Sequence, residues 1–160
     1  MMTILEDLEQ ILDCYCDNSR LEFEEVFILF TKILSYRSSC AKTKQAALLV
    51  NNNRVISIGV NGPPSGGINC IADGGEEVCG KDLSGSCLEG IHAEQNCLGY
   101  ASRYGIRTDN CKLYVTMTPC INCAKLIIAA GIEEYIYIDD YRITEGIDFL
   151  NNHGIKTRKI

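Results

Sequence analysis

Two short stretches that lie far apart in the sequence constrain the fold most strongly, because their side chains suit a common site. Residues 91–94 (IHAE) offer an imidazole, and residues 118–123 (TPCINC) offer two thiols. The spacing of Cys120 and Cys123 lets one helical turn present both sulfurs to one metal ion. The sequence therefore predicts a zinc site with His92, Cys120 and Cys123 as ligands, and the fold must bring these residues together.

The number of ligands indicates what this zinc would do. A structural zinc is usually closed by four nitrogen or sulfur ligands, whereas a catalytic zinc keeps one position for water. Three protein ligands favour chemistry, and Glu94, two residues after His92, is placed to carry protons to and from that water. Taken singly, His92 fits a core histidine, and the cysteines fit a buried pair or a redox dithiol. The two motifs together favour the metal site.

Composition and charge limit the partners of this chain. With 160 residues, 46% of them hydrophobic, it has enough apolar material for one domain with its own core. A net charge of −6 disfavours binding to DNA, RNA or an anionic membrane surface and favours free nucleotides. No apolar run reaches the roughly 20 residues that cross a bilayer, and residues 1–7 lack the basic region of a secretory signal. We expect a cytoplasmic protein whose ten cysteines are reduced or bind metal.

The pattern of apolar residues predicts an α/β fold. In the N-terminal part we expect an amphipathic helix over residues 3–13 and a second helix that begins at the capping-box sequence 19–22. The residues expected to form the buried stripe of the second helix are Phe23, Val26, Phe27, Phe30, Ile33 and Leu34. Residues 46–50 and 54–60 predict a β-hairpin, because the three asparagines between them tolerate the left-handed conformations of a tight turn.

The C-terminal part alternates helices with strands. We expect helices over residues 92–104, 121–130 and 144–152, and strands over residues 112–116, 135–139 and 155–159. Strands that alternate with helices imply a sheet covered on both faces, so the sequence predicts a three-layer α/β/α sandwich. His92, Cys120 and Cys123 then lie at helix N-termini, where the positive end of the helix dipole favours thiolate over thiol.

The metal motifs resemble the signature of a known enzyme family. Residues 92–94 with residues 119–123 are similar to the zinc-dependent nucleotide deaminases. Within that superfamily, the segments that resemble the deoxycytidylate deaminases are residues 37–38, 61–66, 92–96, 113–116 and 123–125. The resemblance covers residues 35–160. It implies one deaminase domain over residues 1–160, with residues 1–22 as an N-terminal helical extension.

The resemblance also implies a fold and a reaction. The fold would be cytidine deaminase-like, with a mixed five-stranded sheet and helices on both faces. The reaction would be hydrolytic deamination of dCMP to dUMP, with release of ammonia, which feeds thymidylate synthesis. Zn²⁺ would provide hydroxide at neutral pH, and Glu94 would move protons from water to N3 of the base and then to the departing amine.

Four residues are implied to bind the nucleotide substrate. By resemblance, Asn61 contacts the sugar, Tyr141 packs near the base or sugar, and Arg37 with Ser38 holds the 5′-phosphate. A guanidinium fork matches phosphate oxygens, which gives the arginine assignment a physical basis. Other interpretations stay open: Arg37 fits an exposed charge at a helix end, Asn61 a turn residue, and Tyr141 a core aromatic.

Regulation and assembly are implied in the same way. Many members of the family are hexamers, activated by dCTP and inhibited by dTTP, so a homo-oligomer is expected, with Mg²⁺ accompanying a triphosphate effector. The effector would bind near Gly62, Ser65 and Gly66, since glycine-rich backbone lets N–H groups approach phosphates closely. Arg103 is a candidate for an intersubunit or effector contact, or else a solvated helix charge.

Four further cysteines, Cys40, Cys70, Cys79 and Cys87, surround a long segment rich in glycine and proline. Some relatives carry a second, structural zinc near this segment, and four thiolates would close a tetrahedral site without room for water. Such a site would tie down a loop that is otherwise long for a compact domain. The spacings are irregular, so four cysteines without a metal remain the alternative.

The sequence departs from the family pattern near the nucleotide pocket. Residues 45–47 read QAA where the family usually has VGA, and residues 60–62 read VNG where it usually has YNG. Strict use of the monophosphate is therefore one possibility, and deamination of dCTP or another amino-pyrimidine nucleotide is a second. A third is a catalytically silent zinc-binding assembly module, which the presence of Glu94 disfavours. The acidity of the chain disfavours a tRNA adenosine deaminase.

Overall fold

The computed structural model describes residues 20–71, 79–81, 87–141 and 144–160. The helix predicted over residues 3–13 lies outside these residues. In the described part, the helices are α1 (Phe23–Ser35), α2 (Ala93–Arg103), α3 (Ile121–Ala129) and α4 (Glu145–Asn152). The strands are β1 (Ala46–Asn51), β2 (Arg54–Val60), β3 (Lys112–Met117), β4 (Glu134–Asp139) and β5 (Lys156–Lys159). None of the described helices has the length and apolar character needed to cross a membrane.

The five strands form one mixed sheet in the order β2-β1-β3-β4-β5. β1 pairs antiparallel with β2 and β3, whereas β3, β4 and β5 run parallel to one another. The hairpin between β1 and β2 turns at Asn52 and Asn53, whose φ angles of 46° and 57° lie in the left-handed region that asparagine tolerates. The predicted hairpin and the predicted mixed sheet are confirmed.

Helices cover both faces of the sheet. On one face, α2, α3 and α4 enclose the larger core, which includes Leu49, Leu113 and Tyr135. On the other face, α1 packs Phe27 against Leu48, Val50, Tyr114 and Ile136. The three-layer α/β/α sandwich predicted from the sequence is therefore confirmed.

The first described helix differs from its prediction in both start and orientation. It begins at Phe23, because Glu22 and Glu25 form the capping box, in which the Glu25 carboxylate accepts from the Glu22 N–H at 2.7 Å. The predicted buried stripe was wrong at four of its six positions, since Phe23, Val26, Phe30 and Ile33 are between 40% and 53% exposed. At the other two positions it was right: Phe27 is buried, and the partly buried Leu34 packs against the same core cluster. The residues of α1 that are buried are Phe27, Thr31 and Ser35.

The end of β2 fixes where α2 begins. Gly59 faces the first turns of α2, where a Cβ would overlap the Ala93 carbonyl oxygen and lie 2.9 Å from the Cys97 Cα. The Gly62 and Ile91 backbones exchange hydrogen bonds of 3.2 Å and 2.8 Å. β2 and the residues after it therefore hold the start of α2, and with it His92, against the sheet.

Candidate metal centre

Three side chains from the starts of two helices converge beyond the C-terminal end of β3, the central strand of the sheet. His92 Nδ1 lies 3.5 Å from Cys120 Sγ and 3.4 Å from Cys123 Sγ. These three atoms all lie within 4.8 Å of one another. Tetrahedral zinc, with bonds near 2.3 Å to sulfur and 2.0 Å to nitrogen, separates its sulfur and nitrogen ligands by about 3.5 Å. The donor atoms and their spacing fit zinc.

Each ligand candidate is placed by the start of a helix. His92 is the N-cap of α2, and its backbone N–H donates to Gln95 Oε1 at 2.8 Å. Cys120 is the N-cap of α3, and its sulfur accepts from the Cys123 N–H at 3.5 Å. Both sulfurs therefore lie at the positive end of α3, which favours an ionised thiol.

The thiols of Cys120 and Cys123 differ in pKa. A hydrogen bond from the Cys123 thiol, opposed by partial burial and assisted by His92, lowers the pKa of Cys120 to about 3. The pKa of Cys123 is raised, because its thiol proton is held by Cys120 and because the side chain is buried. The hydrogen bond to Cys120 likewise raises the pKa of His92. Zinc binds neutral histidine and cysteine thiolate, so a metal ion bound here would displace the protons of His92 and Cys123.

Glu94 adds a buried carboxylate beside these three residues. Its side chain is 6% exposed, and burial raises its pKa. The neighbouring Cys123 side chain lowers the pKa of this carboxyl group, but burial has the larger effect. A carboxyl group whose pKa is raised by burial, next to a three-donor cluster, is placed to take up and return a proton.

Tyr135 belongs to the same site, and the sequence analysis did not single it out. Its ring is fully buried, and its hydroxyl donates to the Met117 carbonyl at 2.7 Å. The same hydroxyl lies 3.4 Å from Glu94 Oε1. The strand reads EYIYID and carries two tyrosines, and a tyrosine hydroxyl needs a polar partner wherever it is buried. The strand sequence alone does not distinguish Tyr135 from Tyr137.

A cavity of about 230 Å³ lies on the Asn61 side of α2. The residues that line it are Arg37, Ser39, Val60, Asn61, Gly62, Pro63, Asn69 and Asn96. Asn96 follows His92 by one helical turn, and its side chain donates to the Val60 carbonyl at 2.8 Å. The structure therefore brings together Arg37 and Asn61, which were predicted to bind the substrate, with Gly62, which was predicted to lie near an effector.

The Asn61 side chain is already engaged within the protein. Its Oδ1 accepts from the Ser38 hydroxyl at 2.6 Å and from the Gln45 N–H at 2.8 Å. Its Nδ2 donates to the Thr43 carbonyl at 2.9 Å. Asn61 and Ser38 thus hold the connection between α1 and β1 in place beside Arg37.

The other predicted binding residues lie in different places. Tyr141 is 45% exposed, and its backbone N–H donates to Thr118 Oγ1 at 2.8 Å, so it stands on the rim beside the metal motif. Ser65 and Gly66 are exposed and do not line the cavity. Arg103 lies at the opposite end of α2 from His92, with its guanidinium 5.7 Å from the Tyr104 ring centroid.

A second cluster of thiols forms in the long loop. Cys70, Cys79 and Cys87 have their sulfurs within 4.8 Å of one another. Burial raises the pKa of Cys70, and the nearby thiols of Cys87 and Cys40 raise it further. Cys40 is outside the group of three but close enough to act on Cys70. Burial raises the pKa of Cys87, but backbone hydrogen bonds from Glu89 and Gly90, together with hydrogen bonds from Cys79 and Cys70, lower it on balance.

Comparison with known proteins places these features in a family. The sequence model of the cytidine and deoxycytidylate deaminase zinc-binding region matches residues 22–139. The chain belongs to this family. The match includes the metal motifs, α1 and the second thiol cluster, and it ends before Tyr141.

Relatives within the family differ in length from this chain. The ComE operon protein 2 of Bacillus subtilis is 36% identical over 123 residues, which are 77% of this chain and 62% of that protein. The deoxycytidylate deaminase of Schizosaccharomyces pombe is 33% identical over 146 residues, or 88% of this chain and 44% of that protein. The chain thus spans about half the length of these two relatives.

A solved structure resembles the chain over nearly its whole length. The dCMP deaminase from cyanophage S-TIM5, in complex with dCMP and dUMP, is 31% identical and has a TM-score of 0.76. The alignment covers 89% of this chain and 99% of the cyanophage chain. The fold is therefore cytidine deaminase-like, as the motifs predicted.

Proposed function

We propose that the protein is a zinc-dependent hydrolase that converts dCMP to dUMP, releases ammonia and so supplies thymidylate synthesis. The observation that carries this proposal is the buried carboxylate of Glu94 beside the donors of His92, Cys120 and Cys123. A metal site that served only structure would have no use for a carboxylate at this place. Membership of the deaminase family supports the same reaction.

The proposed chemistry divides between the zinc and the chain. When bound by His92, Cys120 and Cys123, zinc would supply Lewis-acid activation of a water molecule at neutral pH. Glu94 accepts one proton of that water and delivers it to N3 of the cytosine ring, while the hydroxide oxygen bonds to C4. Glu94 then takes the proton of the new C4 hydroxyl and passes it to the amine, which leaves C4 as ammonia as the C4 carbonyl of dUMP forms. Burial of Glu94 raises its pKa, which suits a group that must hold and release a proton in each cycle.

The nucleotide is proposed to lie between the metal centre and the cavity beside α2. Arg37 faces that cavity and provides a guanidinium for the 5′-phosphate, with Ser38 supporting the same loop. Asn61 is proposed for the sugar, and Tyr141, exposed on the rim next to Thr118, for the base or sugar. The dCMP bound to the cyanophage enzyme supports a deoxycytidine monophosphate as the substrate.

A second zinc, held by the thiols of the loop, is also proposed. Cys70, Cys79 and Cys87 would supply three thiolates and Cys40 the fourth, which closes a tetrahedral site without room for water. Such a site would tie together parts of the chain that lie up to 47 residues apart, counted from Cys40 to Cys87. Its role would be structural.

The proposal also covers the oligomeric state of the protein, its regulation by nucleotides and its location in the cell. The single deaminase domain is expected to form a homo-oligomer, with a hexamer favoured, in the cytoplasm. dCTP as activator and dTTP as inhibitor, with Mg²⁺, would bind near Gly62, Ser65 and Gly66, and Arg103 is proposed for an intersubunit or effector contact.

Ammonia release tests the proposed function. The zinc-loaded protein should be compared on dCMP, cytidylate, deoxycytidine and dCTP, each with and without added triphosphates. We expect dCMP to give the highest kcat/KM, because Arg37 has a phosphate to bind and the cavity is small. Equal turnover of dCTP would favour the bifunctional alternative. Silence on all four compounds would favour a zinc-binding assembly module.

A further inference from the structure

We propose that Gly146, in the first turn of α4, is a positioning residue for Cys120. The inference rests on the proposed role of Cys120 as a metal ligand and goes beyond it, because Gly146 touches neither metal nor substrate. Its part is to let α4 lie directly against the peptide that carries the Cys120 sulfur.

The residues that lead from β3 into Cys120 are held by contacts from the next βα unit. The Tyr135 hydroxyl donates to the Met117 carbonyl at 2.7 Å. The Thr118 N–H donates to the Asp139 carbonyl at 3.1 Å, and the Tyr141 N–H donates to Thr118 Oγ1 at 2.8 Å. β4 and the residues that follow it therefore fix the chain up to Thr118, one residue before Pro119.

Gly146 continues this set of contacts onto the Pro119–Cys120 peptide. A Cβ on Gly146 would overlap the Pro119 carbonyl oxygen, lie 2.9 Å from the Pro119 carbonyl carbon and 3.3 Å from that of Cys120. All three atoms belong to the backbone, so no side-chain rotation can relieve the overlap. Either the Cys120 peptide or the start of α4 must move.

The movement required is large compared with what a metal site tolerates. Relieving the overlap needs a shift on the order of 1 Å, whereas ligand distances in zinc sites hold to within about 0.2 Å. α4 cannot simply move away, because Leu150 is fully buried in the main core. A withdrawal of its first turn would also pull on Tyr141, whose N–H anchors Thr118. Both routes displace the Cys120 sulfur.

Gly99 in α2 is a matched control. It also lies within a helix, but a Cβ added there would have no heavy atom within 4 Å. Gly146→Ala and Gly99→Ala therefore make the same chemical change, with and without a backbone contact at the metal motif. Gly146→Ser adds a hydroxyl to the same Cβ and separates the effect of the Cβ from that of side-chain size.

The test measures metal binding as well as activity. Zinc affinity is determined by chelator competition on the full chain, and the Co²⁺-substituted protein is examined for its thiolate-to-cobalt charge-transfer band. We expect roughly 10- to 100-fold weaker zinc binding in Gly146→Ala, as for other residues that orient ligands, with a weakened or shifted cobalt band. Gly146→Ser should match Gly146→Ala, and Gly99→Ala should match wild type.

Wild-type zinc affinity together with a wild-type cobalt band in Gly146→Ala would overturn the inference, even if the melting temperature fell. If Gly146→Ala does not fold, Thr118→Val replaces it, since this change removes the anchor for the Tyr141 N–H without adding bulk. A smaller loss of zinc affinity is then expected, and an unchanged affinity would overturn the inference. Failure of the proposed function would appear differently, as a wild-type protein without deaminase activity.

Discussion

The two thiol clusters of this molecule use the same kind of side chain in different surroundings. His92, Cys120 and Cys123 project from the starts of α2 and α3, next to the sheet and its core. Cys70, Cys79 and Cys87 come from the long loop, outside the helices and strands. Backbone hydrogen bonds from the next βα unit hold the loop that leads into Cys120, while backbone contacts from Glu89 and Gly90 reach Cys87.

The two clusters differ in the side chains that lie next to their sulfur atoms. The first cluster has one imidazole, two thiols and the buried carboxylate of Glu94, so a metal bound there would keep a position for water, with Glu94 as the proposed proton carrier. The second cluster consists of thiols, with Cys40 as a fourth nearby. Ligands fixed by regular elements suit chemistry that depends on geometry, whereas thiols gathered from a loop suit closure of that loop.

Cys120→Ser should have the largest effect. A serine hydroxyl is a poor substitute for thiolate, so we expect the first metal and all measurable turnover to be lost. The rest of the fold should persist, because the core of the sheet is built without the metal. Metal analysis, ammonia release and far-UV circular dichroism measure the three outcomes. Turnover in a protein that lacks the first zinc would contradict the assignment.

Glu94→Gln should leave the metal in place and remove the proton carrier. General acid–base groups contribute about 10²- to 10⁴-fold, and Glu94 is proposed to act twice per cycle, so kcat should fall by about 10³-fold or more. Zinc content should stay at the wild-type value. Glu89→Gln, which changes an exposed carboxylate beside the second cluster, is the control and should retain wild-type kcat. A Glu94→Gln variant with wild-type kcat would refute its role.

Cys79→Ser should act on stability more than on chemistry. If the second cluster holds a structural zinc, the variant loses one zinc per chain and its melting temperature falls by about 5 °C or more, since about 1 kcal/mol corresponds to 2–4 °C in a domain of this size. The first zinc should remain, with kcat within a fewfold of wild type. One zinc per chain in the wild-type protein would show that the second cluster holds none.

Tyr135→Phe should have the smallest effect. The change removes a hydroxyl that contacts both Met117 and Glu94 and keeps the ring in place. A hydrogen bond of this kind is worth about 1 kcal/mol, so kcat should fall about three- to tenfold with KM for dCMP nearly unchanged. Tyr137→Phe is the control, because Tyr137 lies in the same strand with its ring centroid 6.2 Å away. Equal kcat values for the two variants would show that the Tyr135 hydroxyl does not contribute to turnover.

The elements and the metal motifs were predictable because their signals are local. The asparagines of the hairpin turn, Gly105 and Gly131 after α2 and α3, and the alternation of strands with helices gave element bounds that the structure matches closely. The spacing of Cys120 and Cys123 on one helical turn placed both sulfurs together, and the strand order brought His92 to them. Their role as zinc ligands stays a prediction.

Other features depend on contacts that periodicity does not encode. α1 is apolar on more than one side, so its sequence could not tell that Phe27, rather than Phe23 or Phe30, faces the sheet. Tyr135 and Gly146 act on the metal motif across strand and helix packing, and in the sequence they are only a strand residue and a helix glycine. The hydrogen bonds that engage Asn61 with Ser38 and Gln45 are likewise tertiary.

The measurement that tests the central claim most directly is ammonia release from dCMP by the metal-depleted protein, before and after addition of Zn²⁺. We expect no ammonia release without metal, and full turnover once Zn²⁺ occupies the first cluster of His92, Cys120 and Cys123. The Glu94→Gln variant should release no ammonia under either condition. Turnover by the metal-free protein, or silence of the folded zinc-loaded protein, would contradict the claim that this cluster and Glu94 form a deaminase site.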